Sequence, residues 1–245
     1  MITIVIPALN EEKHIGILLK SLSDQNFKEE IGVVVADAGS TDKTKETVLA
    51  HANHFHKIKI VKGGMPAIGR NAGAKASLGD PIFFLDADLY LPSSDFLQKT
   101  VKYFREHKLA IATTPLKPHN GKWLDRLMVG LYNMILYPAK YIRPLGAMCI
   151  VASREAFEKS GGYPEDVVMA EDHDFVINCW PFGNYGILPL PVIFSIRRLE
   201  KEGRFGLAAK YFKATAYRVF KGPIRKPIFE YEFKYSDNED DINKL

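Results

Sequence analysis

The sequence has little cysteine and no long apolar run. Its 245 residues include only Cys149 and Cys179, whose separation fits no metal-binding or redox motif. We therefore expect two buried free thiols in a reduced compartment and no disulfide framework. No segment reaches the roughly 20 uninterrupted apolar residues that a membrane-spanning helix needs, and residues 127–137, the nearest approach, are about half that length. We do not expect an integral membrane protein.

The amino terminus also lacks a basic leader and a cleavage site. Residues 1–7 (MITIVIP) predict a first strand rather than a signal peptide, and we expect a cytoplasmic protein. The formal net charge is only +4, but basic residues dominate residues 197–226 and acidic residues dominate residues 237–241. A local anionic partner fits this distribution. No nucleic-acid-binding module is recognisable, so we do not expect nucleic acid as a partner.

Strand-like runs alternate with helical patterns, which predicts an α/β protein with a parallel sheet and right-handed crossovers. Asn10 is predicted to cap the first helix, and residues 40–42 are predicted to cap the second. The predicted strands are residues 2–6, 31–36, 58–61, 81–85 and 111–114, and a later predicted helix is residues 93–106.

Asp86 and Asp88 follow the apolar strand at residues 81–85. Open α/β sheets bind ligands beyond the carboxyl ends of their strands. Two carboxylates at this position can therefore hold a divalent cation. An Asp-rich turn is the alternative interpretation, because pairs of this kind are common.

Asp37 and Arg70 are further polar residues near predicted strand ends. Asp37 opens the segment DAGSTD (residues 37–42), in which Gly39 permits a tight turn. Its carboxylate could accept hydrogen bonds from a nucleobase or ribose, or serve only the turn. Arg70 lies among small residues that allow close backbone approach. Its guanidinium could bind a base or phosphate, or lie on a solvated helix face.

Taken in order, several segments resemble family 2 glycosyltransferases with the GT-A fold. They are residues 4–12 (IVIPALNEE), 37–42 (DAGSTD), 69–73 (GRNAG) and 84–88 (FLDAD), with residues 161–164 (GGYP) and 170–174 (AEDHD) similar to the acceptor side of that family. The resemblance covers roughly residues 1–198. It implies a Rossmann-like, mostly parallel central sheet flanked by helices, with peripheral C-terminal helices.

The resemblance also implies a division of the chain. Residues 1–196 would form the GT-A domain, with about the first 90 residues binding the nucleotide and residues 91–196 binding the acceptor. Residues 197–245 would form a peripheral region with a basic amphipathic helix and an acidic tail.

Donor-binding roles follow from the same resemblance, position by position. Asp88 would be the principal ligand of Mg²⁺ or Mn²⁺, with Asp86 nearer the ribose and sugar. The adjacent pair Arg197 and Arg198 would belong to a basic segment that closes over the donor diphosphate, with Arg198 as the donor-binding residue, although surface or lipid-facing charge is the alternative. Asp37 would contact the base, with Arg70 beside it. The residues implied to line the nucleotide pocket are Pro7, Leu9 and Glu11.

The resemblance implies that Asp172 is the general base, with Glu171 and Asp174 as rivals. His173 is interpreted as a structural or hydrogen-bonding residue. The implied reaction is inverting transfer of a sugar from a nucleotide-diphosphate-sugar to a hydroxyl on a lipid-linked or cell-surface glycan precursor. In a polyprenyl-phosphate sugar synthase of the same family, the acceptor is already a phosphate and needs little base catalysis.

Two other classes of protein compete with this interpretation. A sugar-phosphate nucleotidyltransferase would begin with a Gly-rich, Arg-containing phosphate loop, where this chain has residues 7–12 (PALNEE). A catalytically silent protein that binds a membrane surface would not need intact acidic positions. Residues 123–141 and 205–220 both resemble interfacial amphipathic helices with basic flanks, and packing on the protein's own core is the alternative for each.

Overall fold

A mostly parallel sheet forms the centre of the structure, a computed structural model that describes residues 1–228. The predicted acidic tail at residues 237–241 lies outside the described residues. In spatial order, the larger sheet contains β3 (Lys57–Lys62), β2 (Ile31–Asp37), β1 (Ile2–Ala8), β4 (Ile82–Leu85), β8 (Cys149–Ala152), β6 (Leu109–Thr113) and β9 (Asn184–Ile187). A smaller sheet contains β5 (Leu89–Tyr90), β10 (Val192–Phe194) and β7 (Leu116–Pro118). In the larger sheet, β8 runs antiparallel to its neighbours β4 and β6. The sheet is nevertheless mostly parallel, so the predicted fold class is confirmed.

Helices cover both faces of this sheet. Within the described residues they are α1 (Glu12–Ser23), α2 (Thr44–Ala50), α3 (Pro66–Lys75), α4 (Phe96–Glu106), α5 (Trp123–Ile142), α6 (Arg154–Ser160), α7 (Glu171–Cys179), α8 (Arg197–Lys201) and α9 (Arg204–Lys221). The predicted strands match β1 to β4 and β6 to within two residues at each end, and the predicted helix at residues 93–106 begins at Phe96. No helix among residues 1–228 combines the length and apolar character needed to cross a bilayer.

The central strands are buried on both sides, as their continuous apolar runs require. In β1, Ile4 and Ile6 face a core that includes α1 and α4, whereas Val5 faces a second core that includes α3, α6 and α7. Cys149 and Cys179 are buried free thiols, as predicted. Packing on both faces of the sheet thus holds the carboxyl ends of β1, β2 and β4 at one edge.

The predicted helix cap at Asn10 is wrong. Asn10 has a positive φ of 55°, and its side-chain oxygen accepts a hydrogen bond from the Thr41 amide at 2.9 Å. The first turn of α1 is instead capped across the chain, because Asp42 Oδ2 accepts from the Glu12 amide at 3.1 Å. Asp42 Oδ1 also accepts from the Thr44 amide at 3.0 Å, but the N-cap position of α2 is Lys43 rather than one of the predicted residues 40–42.

Helix α3 packs very closely on the sheet because its inner face is made of small residues. A Cβ atom at Gly73 would lie only 2.4 Å from Val5 Cγ1, and one at Gly69 would lie 3.5 Å from Pro7 Cβ. Ala67 is also buried on this face. This close approach places α3 over the sheet edge where the acidic residues lie.

We predict opposite effects of the same substitution at two helical glycines. Gly73→Ala should destabilise the fold by about 1–3 kcal/mol, because the new methyl group overpacks against Val5. Gly130→Ala, on α5 with no atom within 4 Å of the added Cβ, should stabilise it by up to about 1 kcal/mol through helix propensity. Urea unfolding followed by circular dichroism measures both. Equal effects at the two sites would contradict the packing described for α3.

Candidate active site

The acidic residues predicted from the sequence meet at the carboxyl edge of the larger sheet. Asp37 ends β2 and lies opposite Ala8 of β1 in the parallel register. Asp86 follows directly after β4, the other neighbour of β1. Pro7 and Leu9, at the end of β1, are partly buried at the same edge.

Asp37 is held in its own loop. Its carboxylate accepts hydrogen bonds from the Gly39 and Ser40 amides at 3.1 and 3.2 Å, and Lys45 Nζ lies 3.2 Å away. Gly39 has φ of 94°, a conformation that glycine adopts without strain. Burial raises the pKa of Asp37, but hydrogen bonds from Ser40 and Lys45 outweigh burial, so its pKa lies below the ordinary value. The carboxylate is therefore a fixed anion that keeps lone pairs for further donors.

Arg70 is a buried link between two carboxylates. Its Nη2 donates to Asp86 Oδ1 at 2.7 Å and its Nη1 donates to Glu171 Oε1 at 2.6 Å, while the side chain is only 9% exposed. The guanidinium carbon also lies 5.2 Å from the ring centre of Tyr163. The structure thus places Arg70 between Asp86 and Glu171.

The site carries more negative than positive charge. Burial is the largest cause that raises the pKa of Asp86 to about 6, and the charges of Asp88 and Asp172 add to it, while Arg70 lowers it. The pKa of Glu171 is also raised, chiefly by burial and next by the charge of Asp172. These shifts show that Asp86, Asp172 and Glu171 lie within electrostatic range of one another.

Arg197, the first residue of the predicted basic pair, reaches the acidic residues of the site. Its Nη2 lies 2.6 Å from Glu11 Oε1 and 3.4 Å from Asp88 Oδ2, and its side chain is 13% exposed. Arg198, the residue predicted for this role, instead donates from Nε to Glu202 Oε1 at 2.9 Å. The sequence signal was the adjacent pair itself, but the direction of α8 decides which guanidinium reaches the acidic residues.

The first turn of α7 contains three acidic residues, and two of them are held by arginines. Glu171 is bound by Arg70, and Asp174 Oδ1 accepts from Arg218 Nη2 at 2.7 Å. Within residues 1–228, no arginine pairs with Asp172. Of the three, Asp172 is therefore the carboxylate best placed to act on a substrate.

The backbone around Asp172 is tightly constrained. Ala170, the residue before α7, adopts the left-handed conformation with φ of 59°, which is unusual for a residue other than glycine. A Cβ atom at Gly146 would lie 2.6 Å from the Asp172 carbonyl oxygen, so only glycine allows this contact. The Gly146 amide donates to His173 Nδ1 at 2.8 Å, as expected for a hydrogen-bonding histidine. This loop and turn fix the start of α7.

Asn71 joins α3 to the segment that leads into α7. Its Nδ2 donates to the Tyr163 carbonyl at 2.8 Å, and its Oδ1 accepts from the Tyr163 amide at 2.8 Å. Gly162, with φ of 81°, passes so close that a Cβ atom there would lie 2.5 Å from Asn71 Oδ1. The sequence analysis gave Asn71 no role of its own, and the structure gives it a positioning one next to Arg70.

Asp86 and Asp88 are the candidate cation ligands. Among residues 1–228, no three His, Cys, Asp or Glu side chains converge as in an all-protein metal centre. Mg²⁺ is commonly held by one or two carboxylates, with substrate phosphates supplying other oxygens. Arg197 already places a cationic group between Glu11 and Asp88, so this position accommodates positive charge. The donor set fits Mg²⁺ or Mn²⁺ bound together with a diphosphate.

We predict a large stability cost for removing Arg70. Arg70→Ala leaves Asp86 and Glu171 as uncompensated, poorly solvated charges, which should cost about 3–5 kcal/mol. Arg105 provides a matched control, because it also bridges two carboxylate oxygens, those of Glu29, but is 48% exposed. Arg105→Ala should cost at most about 1 kcal/mol. Chemical denaturation compares them, and similar costs would contradict the buried role of Arg70.

We also predict a pH-dependent contribution from His173. Burial, followed by the charge of Arg218, lowers the pKa of His173 from the ordinary value to about 3. The unfolded chain therefore binds a proton below about pH 6.5 that the folded chain excludes, so stability should fall by up to about 1 kcal/mol per pH unit as the pH drops from 6.5 to 5. His173→Asn keeps an acceptor for Gly146 and should flatten this slope. The same substitution at the exposed His54 should leave it unchanged in denaturant titrations across this range.

Comparison with known proteins places these observations in a family. Residues 3–158 match the family model described as glycosyl transferase family 2. The poly(ribitol-phosphate) beta-N-acetylglucosaminyltransferase TarS of Staphylococcus aureus is 28% identical over 185 residues, which are 73% of this chain and 32% of that protein. The poly(ribitol-phosphate) beta-glucosyltransferase of Bacillus spizizenii is 27% identical over 186 residues, which are 73% of this chain and 29% of that protein. The chain thus spans about a third of the length of these curated relatives.

Solved structures share the fold. A crystal structure of S. aureus TarS residues 1–349 matches with a TM-score of 0.66 at 22% identity, covering 90% of this chain and 72% of that one. A mannosyltransferase from Pyrobaculum calidifontis, in complex with GDP-Man and Mn²⁺, matches with a TM-score of 0.65 at 22% identity, covering 86% and 64% of the two chains. The fold is the GT-A fold of these glycosyltransferases. Since the family model covers more than half of its length, this chain belongs to glycosyl transferase family 2.

Proposed function

We propose that this chain is a metal-dependent inverting glycosyltransferase that moves a sugar from a nucleotide-diphosphate-sugar to an acceptor hydroxyl. The main support is the first turn of α7, where Arg70 and Arg218 engage Glu171 and Asp174 and leave Asp172 beside the acidic sheet edge. A base is needed at the position where an acceptor attacks, and Asp172 is proposed to fill that role.

Donor binding is proposed at the ends of β1, β2 and β4. Asp37 would accept hydrogen bonds from the base or ribose, between Pro7 and Leu9 on one side and its own loop on the other. Arg197 would move its guanidinium from Glu11 to the donor diphosphate. Solved neighbours in complex with UDP, UDP-GlcNAc and GDP-Man support a nucleotide sugar as the donor.

The same edge would stabilise the leaving group. Asp88, with Asp86 beside it, would hold Mg²⁺ or Mn²⁺, which supplies charge stabilisation for the departing diphosphate. Arg70 would keep Asp86 oriented through the contact at 2.7 Å. Stabilisation of this kind accelerates the reaction because the charge on the diphosphate grows as the glycosidic bond breaks.

Asp172 would accept the proton of the acceptor hydroxyl while that oxygen forms its bond to the anomeric carbon. Attack occurs on the face opposite the departing diphosphate, so the configuration of the sugar inverts. General base catalysis of this kind typically contributes a factor of about 10² to 10⁴. The constraints at Ala170 and Gly146 would hold Asp172 in place without any adjustment during the reaction.

The acceptor is proposed to be a hydroxyl of a lipid-linked or cell-surface glycan precursor. Two relatives are named as transferases of poly(ribitol-phosphate), which supports a polymer or its precursor as acceptor. Under this proposal, about the first 90 residues bind the nucleotide and residues 91–196 bind the acceptor. A polyprenyl phosphate is the competing acceptor, and it would make Asp172 dispensable because its oxygen is already ionised.

We predict that binding and catalysis separate in two aspartate variants. UDP-, GDP- and dTDP-sugars are first screened with Mn²⁺ for the largest rise in Tm, because a ligand that binds the native state stabilises it. With that donor, Asp172→Asn should reduce release of free nucleotide by about 10² to 10⁴ and leave donor affinity unchanged. Asp88→Asn or EDTA should weaken donor binding itself.

Asp166→Asn is the matched control for both variants, since Asp166 forms an exposed pair with Arg225. It should change neither donor affinity nor turnover. Full activity in Asp172→Asn would contradict the proposed role of Asp172 as the base. Unchanged donor binding in EDTA would contradict the proposed metal dependence. Release of pyrophosphate from a nucleoside triphosphate and a sugar phosphate would point to a nucleotidyltransferase instead.

A further inference from the structure

Helix α5 presents a continuous apolar surface to solvent. At about 100° per residue these residues all fall within one side of the helix, and each is between 50% and 80% exposed. We call this face the α5 stripe, and it comprises Trp123, Leu127, Leu131, Met134, Ile135, Tyr137, Tyr141 and Ile142. It extends along all 20 residues of the helix, a length of about 30 Å.

Helix α9 has a similar face. Its apolar residues are between 60% and 85% exposed, whereas Leu207, Ala214 and Arg218 on the opposite side are buried against the body of the protein. We call this second face the α9 stripe, and it comprises Phe205, Phe212, Val219 and Phe220. Exposed apolar surface on this scale is typical of an interaction site.

The two helices are neighbours and run in the same direction. At their amino-terminal ends, Arg204 Nε and Nη2 donate to the two oxygens of the buried Asp125 at 2.5 and 2.9 Å. Seven residues further along each helix, Tyr132 and Tyr211 lie within electrostatic range of each other, and Tyr211 contributes to the raised pKa of Tyr132 after burial and Asp172. Arg218 then fixes the far end of α9 to Asp174 of α7. Arg204 and Arg218 thus tie α9 to α5 and to α7.

The charged residues of the two helices are almost all basic. Asp125 is the sole carboxylate in either helix, and it is fully buried and paired with Arg204. Lys210 pairs with Glu202 at 2.7 Å, and the other basic residues on the two helices, apart from the arginines paired with Asp125 and Asp174, are Arg126, Lys140, Lys213 and Lys221. A symmetric dimer through this surface would bring like charges together, which is unfavourable. Anionic lipid headgroups would compensate these charges while the bilayer covers the apolar side chains.

We propose that α5 and α9 dock this chain onto an anionic lipid surface, with both stripes in the boundary between headgroups and acyl chains. The helices lie along the surface, since no helix among residues 1–228 can span a bilayer. Trp123 and Tyr141 mark the two ends of the α5 stripe, and aromatic residues with a polar edge favour this depth. Basic side chains beside the stripes reach the headgroups.

The docking surface lies close to the proposed base. On the inner side of α5, the Tyr132 hydroxyl donates to the Gly146 carbonyl at 2.8 Å, and Gly146 packs directly on the Asp172 backbone. About one helix diameter, 10–12 Å, thus separates the stripe from the loop that holds Asp172. An acceptor hydroxyl carried by a lipid at the surface would be near Asp172, a consequence that rests on the proposed function, whereas docking itself does not.

Vesicle sedimentation tests the proposal with the full chain and no donor. Vesicles of phosphatidylcholine with one third phosphatidylglycerol should bind the protein roughly tenfold or more tightly than phosphatidylcholine alone, and added salt should reduce the difference. Leu131→Glu with Phe212→Glu should lower binding by roughly a hundredfold, because each buried Leu or Phe side chain contributes about tenfold. Leu49→Glu with Leu78→Glu, at exposed apolar residues outside both stripes, is the matched control and should retain binding.

Three further readouts make each outcome decisive. Trp123 fluorescence should shift to shorter wavelength on the anionic vesicles, and Trp123→Phe should abolish the shift. Equal binding of both double variants, or no binding of the wild type to either vesicle, overturns docking. A concentration-dependent dimer that the stripe variant alone loses would assign this surface to a second copy and also overturns it. Donor binding in solution by the stripe variant tests the proposed function separately.

Discussion

The ion pairs of Arg70 hold the candidate site together. One guanidinium, almost fully buried, joins Asp86 at the end of β4 to Glu171 at the start of α7, residues that are far apart in the chain. A buried arginine is stable only when its charge and donors are matched. The sheet edge and α7 must therefore be correctly placed relative to each other for Arg70 to compensate the charges of Asp86 and Glu171. The position of Asp172, which follows Glu171 directly, depends on this link.

The same link explains why the site suits a cationic complex. The carboxylates of the site outnumber its two guanidiniums, those of Arg70 and Arg197. The excess negative charge contributes, after burial, to the raised pKa of Asp86. A divalent ion that arrives with a diphosphate adds positive charge next to the carboxylates and places the phosphate charge near Arg197. The acidic residues concerned are Glu11, Asp86, Asp88, Glu171 and Asp172. Preorganised charge of this kind favours binding of the donor and stabilisation of its leaving group together.

Local pattern was enough to predict the sheet and its acidic edge. The strands ending at Asp37 and before Asp86 are continuous apolar runs, and parallel strands place such ends at one edge, so the order of motifs predicts which residues are near each other. Features that depend on distant contacts could not be read in this way. Asn10 has the residue type of a helix cap, yet Asp42 in the loop before α2 accepts from the first turn of α1. Glu171 looked like a rival base until Arg70, 101 positions earlier in the chain, was found to bind it.

The choice between Arg197 and Arg198 has a similar origin. Adjacent helical residues point about 100° apart, so only the docking of α8 determines that Arg197 faces Glu11 and Asp88. The central claim is that one diphosphate-bearing ligand lies among these residues with its sugar directed at Asp172. A crystal structure with Mn²⁺ and the nucleotide sugar that most raises Tm tests this most directly. The account predicts the diphosphate between Asp88 and Arg197 and the anomeric carbon facing Asp172, and a donor bound away from Asp37, Asp88 and Asp172 would contradict it.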